Sequence, residues 1–220
     1  MDYRLIKRNG ENKMSKSTLE MARNLVARLE AEEKEKKVQL KDLKPGETFM
    51  IGEHEFIVLE QVFDVNGGDS DVTSVVSKNF MLKDVMFDSE ARNYYVSYLK
   101  GTIESKILPI IEKEVGAENI VENLCDLRSV CGEDEFGMSM SKVRPMTFDE
   151  VRKYHEFIKN EDLDDWWWTC TPWGSSKNGN ARVIATVSPY GFIGIIDCSS
   201  NNGVRPFCVL KSDIYVSKGE

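Results

Sequence analysis

The strongest constraint on the fold lies late in the chain, where Asp165-Trp166-Trp167-Trp168-Thr169-Cys170-Thr171-Pro172-Trp173 places four tryptophans within eight positions. Consecutive large aromatics on an extended segment point to both faces of a strand, so this stretch needs cover on two sides. Trp166 to Trp168 are therefore expected in the core. Trp173, after a proline and before the polar loop 174–180, is expected at the surface. Three short strands are expected next, over 182–187, 192–197 and 204–210, separated by Pro-Tyr-Gly and Ser-Ser-Asn-Asn-Gly turns. In the first strand Val183, Ala185 and Val187 share one face and Arg182, Ile184 and Thr186 the other. One face reads as core and the other as open to a partner. Arg205 and Pro206 read as structural, the arginine serving backbone carbonyls or a carboxylate and the proline marking an edge.

Upstream, Phe49 to Phe63 reads as two β-rich segments around a turn at Gly52-Glu53, the second covered on both sides by Phe56, Val58, Ile57 and Leu59. The turn 65–71 then leads to a strand at 72–77. A helical stretch from Ser97 to Val115 carries Leu99, Ile103, Ile107, Ile110 and Ile111 on one stripe, is interrupted at Pro109 and is capped by Gly116. A second helix starts at a Thr147/Glu150 capping box, with Phe148, Val151, His155 and Ile158 on its apolar face. Residues 117–146 read as β-prone and loop-rich.

Residues 1–14 read as a disordered extension, with Met14 an alternative start. Residues 15–39 read as an amphipathic helix or short coiled coil: Ser17 and Glu20 match a capping box, and Leu19, Ala22, Val26 and Leu29 follow a heptad seam. The seam is compatible with a solvated linker and with self-association through 15–37. The third segment, 40–220, is the globular domain.

Several chemistries lack the residues they need. Residues 46–220 hold 17 Lys/Arg against 29 Asp/Glu, and an acidic body without a basic stripe argues against a nucleic-acid partner. No apolar run is long enough for a membrane span, and the N-terminus lacks the apolar core of a secretory signal, so synthesis in a cytoplasm is expected, with virion association left open. His54 and His155 have no ligand-spaced neighbours, and no nucleophile elbow or phosphate loop is present. The runs Glu133-Asp-Glu135 and 161–165 lack calcium-loop spacing and read as solvated. No cofactor is implied. Among the five cysteines, Cys125, Cys131, Cys170, Cys198 and Cys208, the last three could serve copper or thiol redox chemistry, against a reading as buried or loop thiols.

The string Trp167-Trp-Thr-Cys-Thr-Pro172, then Val183 to Val187, Gly191 and Gly203-Val-Arg-Pro-Phe207 resembles a domain family of unknown function from gut Firmicutes and their phages, which ends in a WW…P and GVRP pattern. Gly52 to Leu59 and Val75 to Lys78 extend the likeness. That ending is similar to C-type-lectin-like folds, both of formylglycine-generating-enzyme relatives and of variable proteins diversified by retroelements. The resemblance implies an α+β, C-type-lectin-like domain and a non-enzymatic ligand-binding or display protein, phage or prophage associated. The alternatives are a phage accessory or inhibitor protein acting on a host factor, and a thiol or copper oxidase. The expected contact surface comprises Thr171, Trp173, Ser175, Ser176, Asn178, Asn180, Arg182, Tyr190, Asp197, Ser200, Asn201 and Asn202, facing a protein or surface ligand.

Overall fold

A computed structural model describes residues 16–35, 37–63 and 71–219 of the chain, with the side chains of the first helix described over 18–28. The expected extension 1–14 and the turn after Phe63 fall largely outside these residues. Two compact units are separated at Lys37. In the first, α1 (Lys16–Glu35) begins one residue before Ser17, which therefore lies inside the first turn and not at its cap. Leu19, Met21, Leu25 and Val26 are exposed on it. The helix ends earlier than expected, because Lys37–Gln39 forms a strand, β1. Val38 packs against the core there, and Leu40 is buried.

The second unit is α+β. Its first strands are β2 (Thr48–Ile51), β3 (His54–Val62), β4 (Val72–Ser77) and β5 (Leu82–Met86). Gly52, at φ +59°, supplies the left-handed residue that the tight β2–β3 hairpin requires. Next come α2 (Tyr98–Thr102), a π turn at Ile103–Ile107 and α3 (Leu108–Val115). Pro109 sits at the start of α3 behind that widened turn, so the helical path continues through the expected break. Ile110 points outward, whereas Leu99, Ile103, Ile107 and Ile111 are buried.

Residues 117–146 contain β6 (Ile120–Val121), β7 (Asn123–Asp126), β8 (Met138–Ser141) and β9 (Val143–Arg144). The Thr147/Glu150 capping box opens α4 (Phe148–Lys153), and Tyr154 separates it from α5 (His155–Ile158). Tyr154 is buried and His155 turns toward solvent, the reverse of the helical-wheel reading, because the break at Tyr154 rotates the register. The chain closes with β10 (Trp167–Pro172), β11 (Val183–Val187), β12 (Ile193–Asp197), β13 (Asn201–Val204), β14 (Phe207–Lys211) and β15 (Tyr215–Lys218).

Among the described residues these strands make two main sheets. The first runs β1-β15-β2-β3-β4-β14-β6 with β9 also on β14, and the second runs β12-β11-β10-β13-β5; β7 and β8 form a separate ribbon. Strand alternation then partitions the core. Phe56, Val58 and Trp168 pack with α2 and α3 residues in one cluster, while Ile57, Leu59 and Trp167 pack with Val151 and Ile158 in another. Trp168 also donates Nε1–H to the Val85 carbonyl at 2.6 Å. No described helix is long and apolar enough to cross a membrane.

The link from β13 to β14 carries the chain from the second sheet to the first. Pro206 lies in this link and not on an edge strand; its carbonyl accepts the Ser77 N–H at 3.0 Å. Arg205 is fully buried and donates to the carbonyls of Ser77 (2.9 Å) and Ile158 (2.6 Å). Its guanidinium lies over the Trp167 ring, and with no carboxylate beside it burial pulls its pKa down to about 9.

Candidate functional site

β11 lies between β10 and β12 with both faces covered, so the expected open face of Arg182, Ile184 and Thr186 does not exist: Ile184 and Thr186 are buried. Apart from its edge strand β12, where Ile195 is exposed, what the second sheet offers to solvent is at its ends. Val183 marks one end of β11, adjoining the 174–182 loop, and Val187 the other, adjoining the Ser188–Phe192 turn. Four extended steps separate the two by roughly 13 Å.

At the loop end the polar side chains are bonded within the protein. Glu133 accepts the backbone N–H (2.6 Å) and hydroxyl (2.8 Å) of Ser175 and the amide of Asn178. Glu135 accepts the N–H (3.0 Å) and hydroxyl of Ser176, and is paired with buried Arg92. Arg92 also donates to the Gly174 carbonyl (2.5 Å) and the Ser176 hydroxyl (2.9 Å), and covers the Phe136 ring. These hydrogen bonds and the guanidinium hold the Glu135 carboxyl down at about 2. Beside this knot, Arg182 binds Asp197 through Nε (2.9 Å) and Nη2 (2.8 Å), and Asp197 also accepts from the backbone and hydroxyl of Ser199. The Asp197 carboxyl lies well below the usual carboxylate range for that reason.

At the turn end the arrangement is apolar and open. Gly191, at φ +81°, turns the chain with the His155 imidazole and Lys159 from the α5 region packed beside it. Tyr190 and Phe192 flank it in ring contact at 6.5 Å, 56% and 69% exposed. Trp166, expected in the core with Trp167 and Trp168, is instead 38% exposed, because it precedes β10 at the end of the sheet, and its ring lies over Gly194 where a Cβ would clash. Phe192 directly precedes β12, two residues before Gly194. β12 is an edge strand of its sheet.

The twelve expected contact residues thus divide. Thr171 is buried and its hydroxyl accepts the Phe148 N–H at 2.9 Å, holding the start of α4. Ser175 and Asn202 are buried too, and the Asn202 amide nitrogen has no partner. Ser175 and Asn202 present no surface to a ligand, and Thr171 meets solvent only in a cavity beside α4. Trp173 is half-buried, contrary to the expectation, since its N–H is drawn onto the Val183 carbonyl at 2.9 Å. Ser176 and Asn178 are exposed but bonded to the glutamates, Asn180 donates to the Asn178 carbonyl, and Arg182 and Asp197 neutralise each other. Ser200 is half-buried and Asn201 exposed. Tyr190 alone of the set stands at the turn end, with Trp166, Phe192 and His155, which the sequence reading left out.

The acidic run read as solvated is the clamp for the loop. Two-residue spacing aims Glu133 and Glu135 to one side, a signal present in the sequence, but their partners lie some forty positions away.

Two cavities flank α4. One of 230 Å3 is lined by Asp126, Arg128, Thr147, Asp149, Arg152 and Thr171; the other, of 310 Å3, by Glu60, Leu124, Arg144, Glu150 and Tyr154 among others. Arg144 is fully buried and bidentate to Glu150, at 2.7 and 2.6 Å, with its guanidinium over Phe207. The suggested trio Cys170, Cys198 and Cys208 is not assembled: Cys170 lies against Cys125. Among the described residues no three His, Cys, Asp or Glu side chains are grouped to hold a metal.

Compared with family models, with curated proteins and with solved structures, the chain matches none.

Proposed function

We propose that this chain is a non-enzymatic binding protein that engages a protein partner through the turn end of its second sheet, with Trp166, Tyr190 and Phe192 as anchors. One observation carries the reading: Tyr190 and Phe192 stand exposed in ring contact next to an open edge strand on which the exposed Trp166 ring lies over Gly194, whereas the polar loop is occupied by its own glutamates. Exposed apolar clusters of this kind mark interaction surfaces, and rigid aromatics supply contact area at low entropic cost. An edge strand adds unpaired backbone groups for an incoming segment. A C-type-lectin-like arrangement and a diversifiable display role belong to this proposal. In that role the positions that can vary without loss of the scaffold are Tyr190 and Phe192, not the clamped Ser175, Ser176 and Asn178.

The test compares three full-length forms for capture of a partner from the source cell: wild type, a Tyr190→Ser/Phe192→Ser variant and a Ser176→Ala/Asn178→Ala variant. Retention by wild type and the loop variant, with loss in the turn variant, is the expected result. Equal capture by wild type and the turn variant would overturn it.

A further inference from the structure

Cys125 on β7 and Cys170 on β10 are forty-five positions apart in sequence, yet their sulfurs lie 3.2 Å from each other and both are buried. That separation is shorter than two sulfurs in simple contact and about 1.2 Å longer than a disulfide bond. We propose that Cys125 and Cys170 are a redox pair that a peroxide-class oxidant converts to a reversible disulfide, stapling the β7–β8 ribbon to the second sheet.

The surroundings assign the two thiols different roles. A hydrogen bond joins the two sulfurs, the Cys170 thiol also reaches the Met146 carbonyl at 3.6 Å, and the Arg144 guanidinium acts on both sulfurs; the contact with Cys170 and the guanidinium lower the Cys125 thiol from its ordinary value. Burial pushes the Cys170 thiol up. Cys125 is therefore the attacking thiolate and Cys170 the resolving thiol. Asp126 and Thr171, the residues that follow the two cysteines, line the 230 Å3 cavity, so the backbone of both strands borders it while the sulfurs themselves are buried on the other side. Burial of both thiols favours a small oxidant such as a peroxide over a protein disulfide or glutathione.

The chemistry closes without other reactants. The Cys125 thiolate attacks one peroxide oxygen; the O–O bond breaks, leaving a sulfenic acid and a hydroxide that takes up a proton as water. The Cys170 sulfur then attacks the sulfenic sulfur. An S–S bond forms, the S–O bond breaks, and the departing hydroxide takes the Cys170 proton as a second water. The two sulfurs lose two electrons together and the peroxide gains them.

The staple links β7, which among the described residues pairs with β8 alone, to the central strand of the second sheet. Leu124, Met138 and Met140 are exposed on that ribbon, so oxidation immobilises an apolar surface as well as a strand.

The experiment uses the full chain carrying Cys131→Ser, which removes the exposed thiol and leaves four. Hydrogen peroxide at low molar excess is expected to reduce the titratable thiols, counted in denaturant, from four to two and to remove two hydrogen masses. A non-reducing peptide map should join the segments holding Cys125 and Cys170. Closing so long a loop should raise the Tm by roughly 5–10 °C, reversibly with dithiothreitol. Cys125→Ser and Cys170→Ser should each abolish the rise, while the thiol count and map on the Cys131→Ser chain stand even if either variant folds poorly. Four thiols still titratable, a different linkage, or oxidation to sulfinic acid without a cross-link would overturn the proposal.

Discussion

The two ends of β11 both close in glycine-containing turns, yet one is polar and the other aromatic, and only the aromatic one is left open. The loop end has Ser175, Ser176 and Asn178, and all three are hydrogen-bonded to Glu133 or Glu135. The turn end has Tyr190, Gly191 and Phe192, whose two rings stay exposed. The difference teaches that a loop's composition does not say whether its polar groups are available. Availability is set by what a distant part of the chain places opposite, and a buried guanidinium with two carboxylates turns an adaptable loop into a fixed one.

That contrast can be broken at either end. The largest effect is expected from Arg92→Ala, which leaves Glu135 and the Gly174 carbonyl without their buried donor. A loss of about 3 kcal/mol in equilibrium denaturation is expected; a cost under about 1 kcal/mol would mean the loop end is not clamped. Glu133→Gln should cost less, about 1–2 kcal/mol, because the neutral amide keeps one acceptor for three donors. Hydrogen exchange should then rise over 175–178 and stay unchanged over 190–192.

A third effect is read from pH. The folded-state value of Glu135 lies at about 2, below its ordinary 4.5. The stabilisation is therefore complete above about pH 5 and is lost as pH falls toward 2. Melting temperature should drop across that window, and Glu135→Gln should flatten the drop; an unchanged slope would remove Glu135 from the clamp. The smallest effect is expected at the turn end, where Phe192→Ser should shift stability by no more than about 0.5 kcal/mol, since the ring is largely in water already. A loss above 2 kcal/mol would show that Phe192 is packing material and not a contact anchor.

Much of the local structure was legible in the residues. The Gly52 turn, the two-sided burial of Phe56 to Leu59, the Thr147/Glu150 box and the burial of Trp167 and Trp168 all follow from period-two alternation, capping chemistry and size. The candidate surface was less legible. Of its predicted members only Tyr190 lies beside the exposed rings, while Trp166 read as core and Phe192 as the first residue of a strand. His155 was misplaced because a helical wheel drawn through Tyr154 assumes a continuous helix, and the chain breaks there.

The sequence by itself determined many of the strands and helices, since those depend on neighbours within a few positions, but not β1, β5, β15 or the short strands within 117–146, which form against distant partners. Only the tertiary structure decided that β11 is covered on both faces, that Glu133 and Glu135 close on residues 175–178, and that Cys125 meets Cys170. Each of these joins groups some forty positions apart or depends on strand order. Pairwise distance across a fold is set by the packing of whole sheets, and no local spacing encodes it.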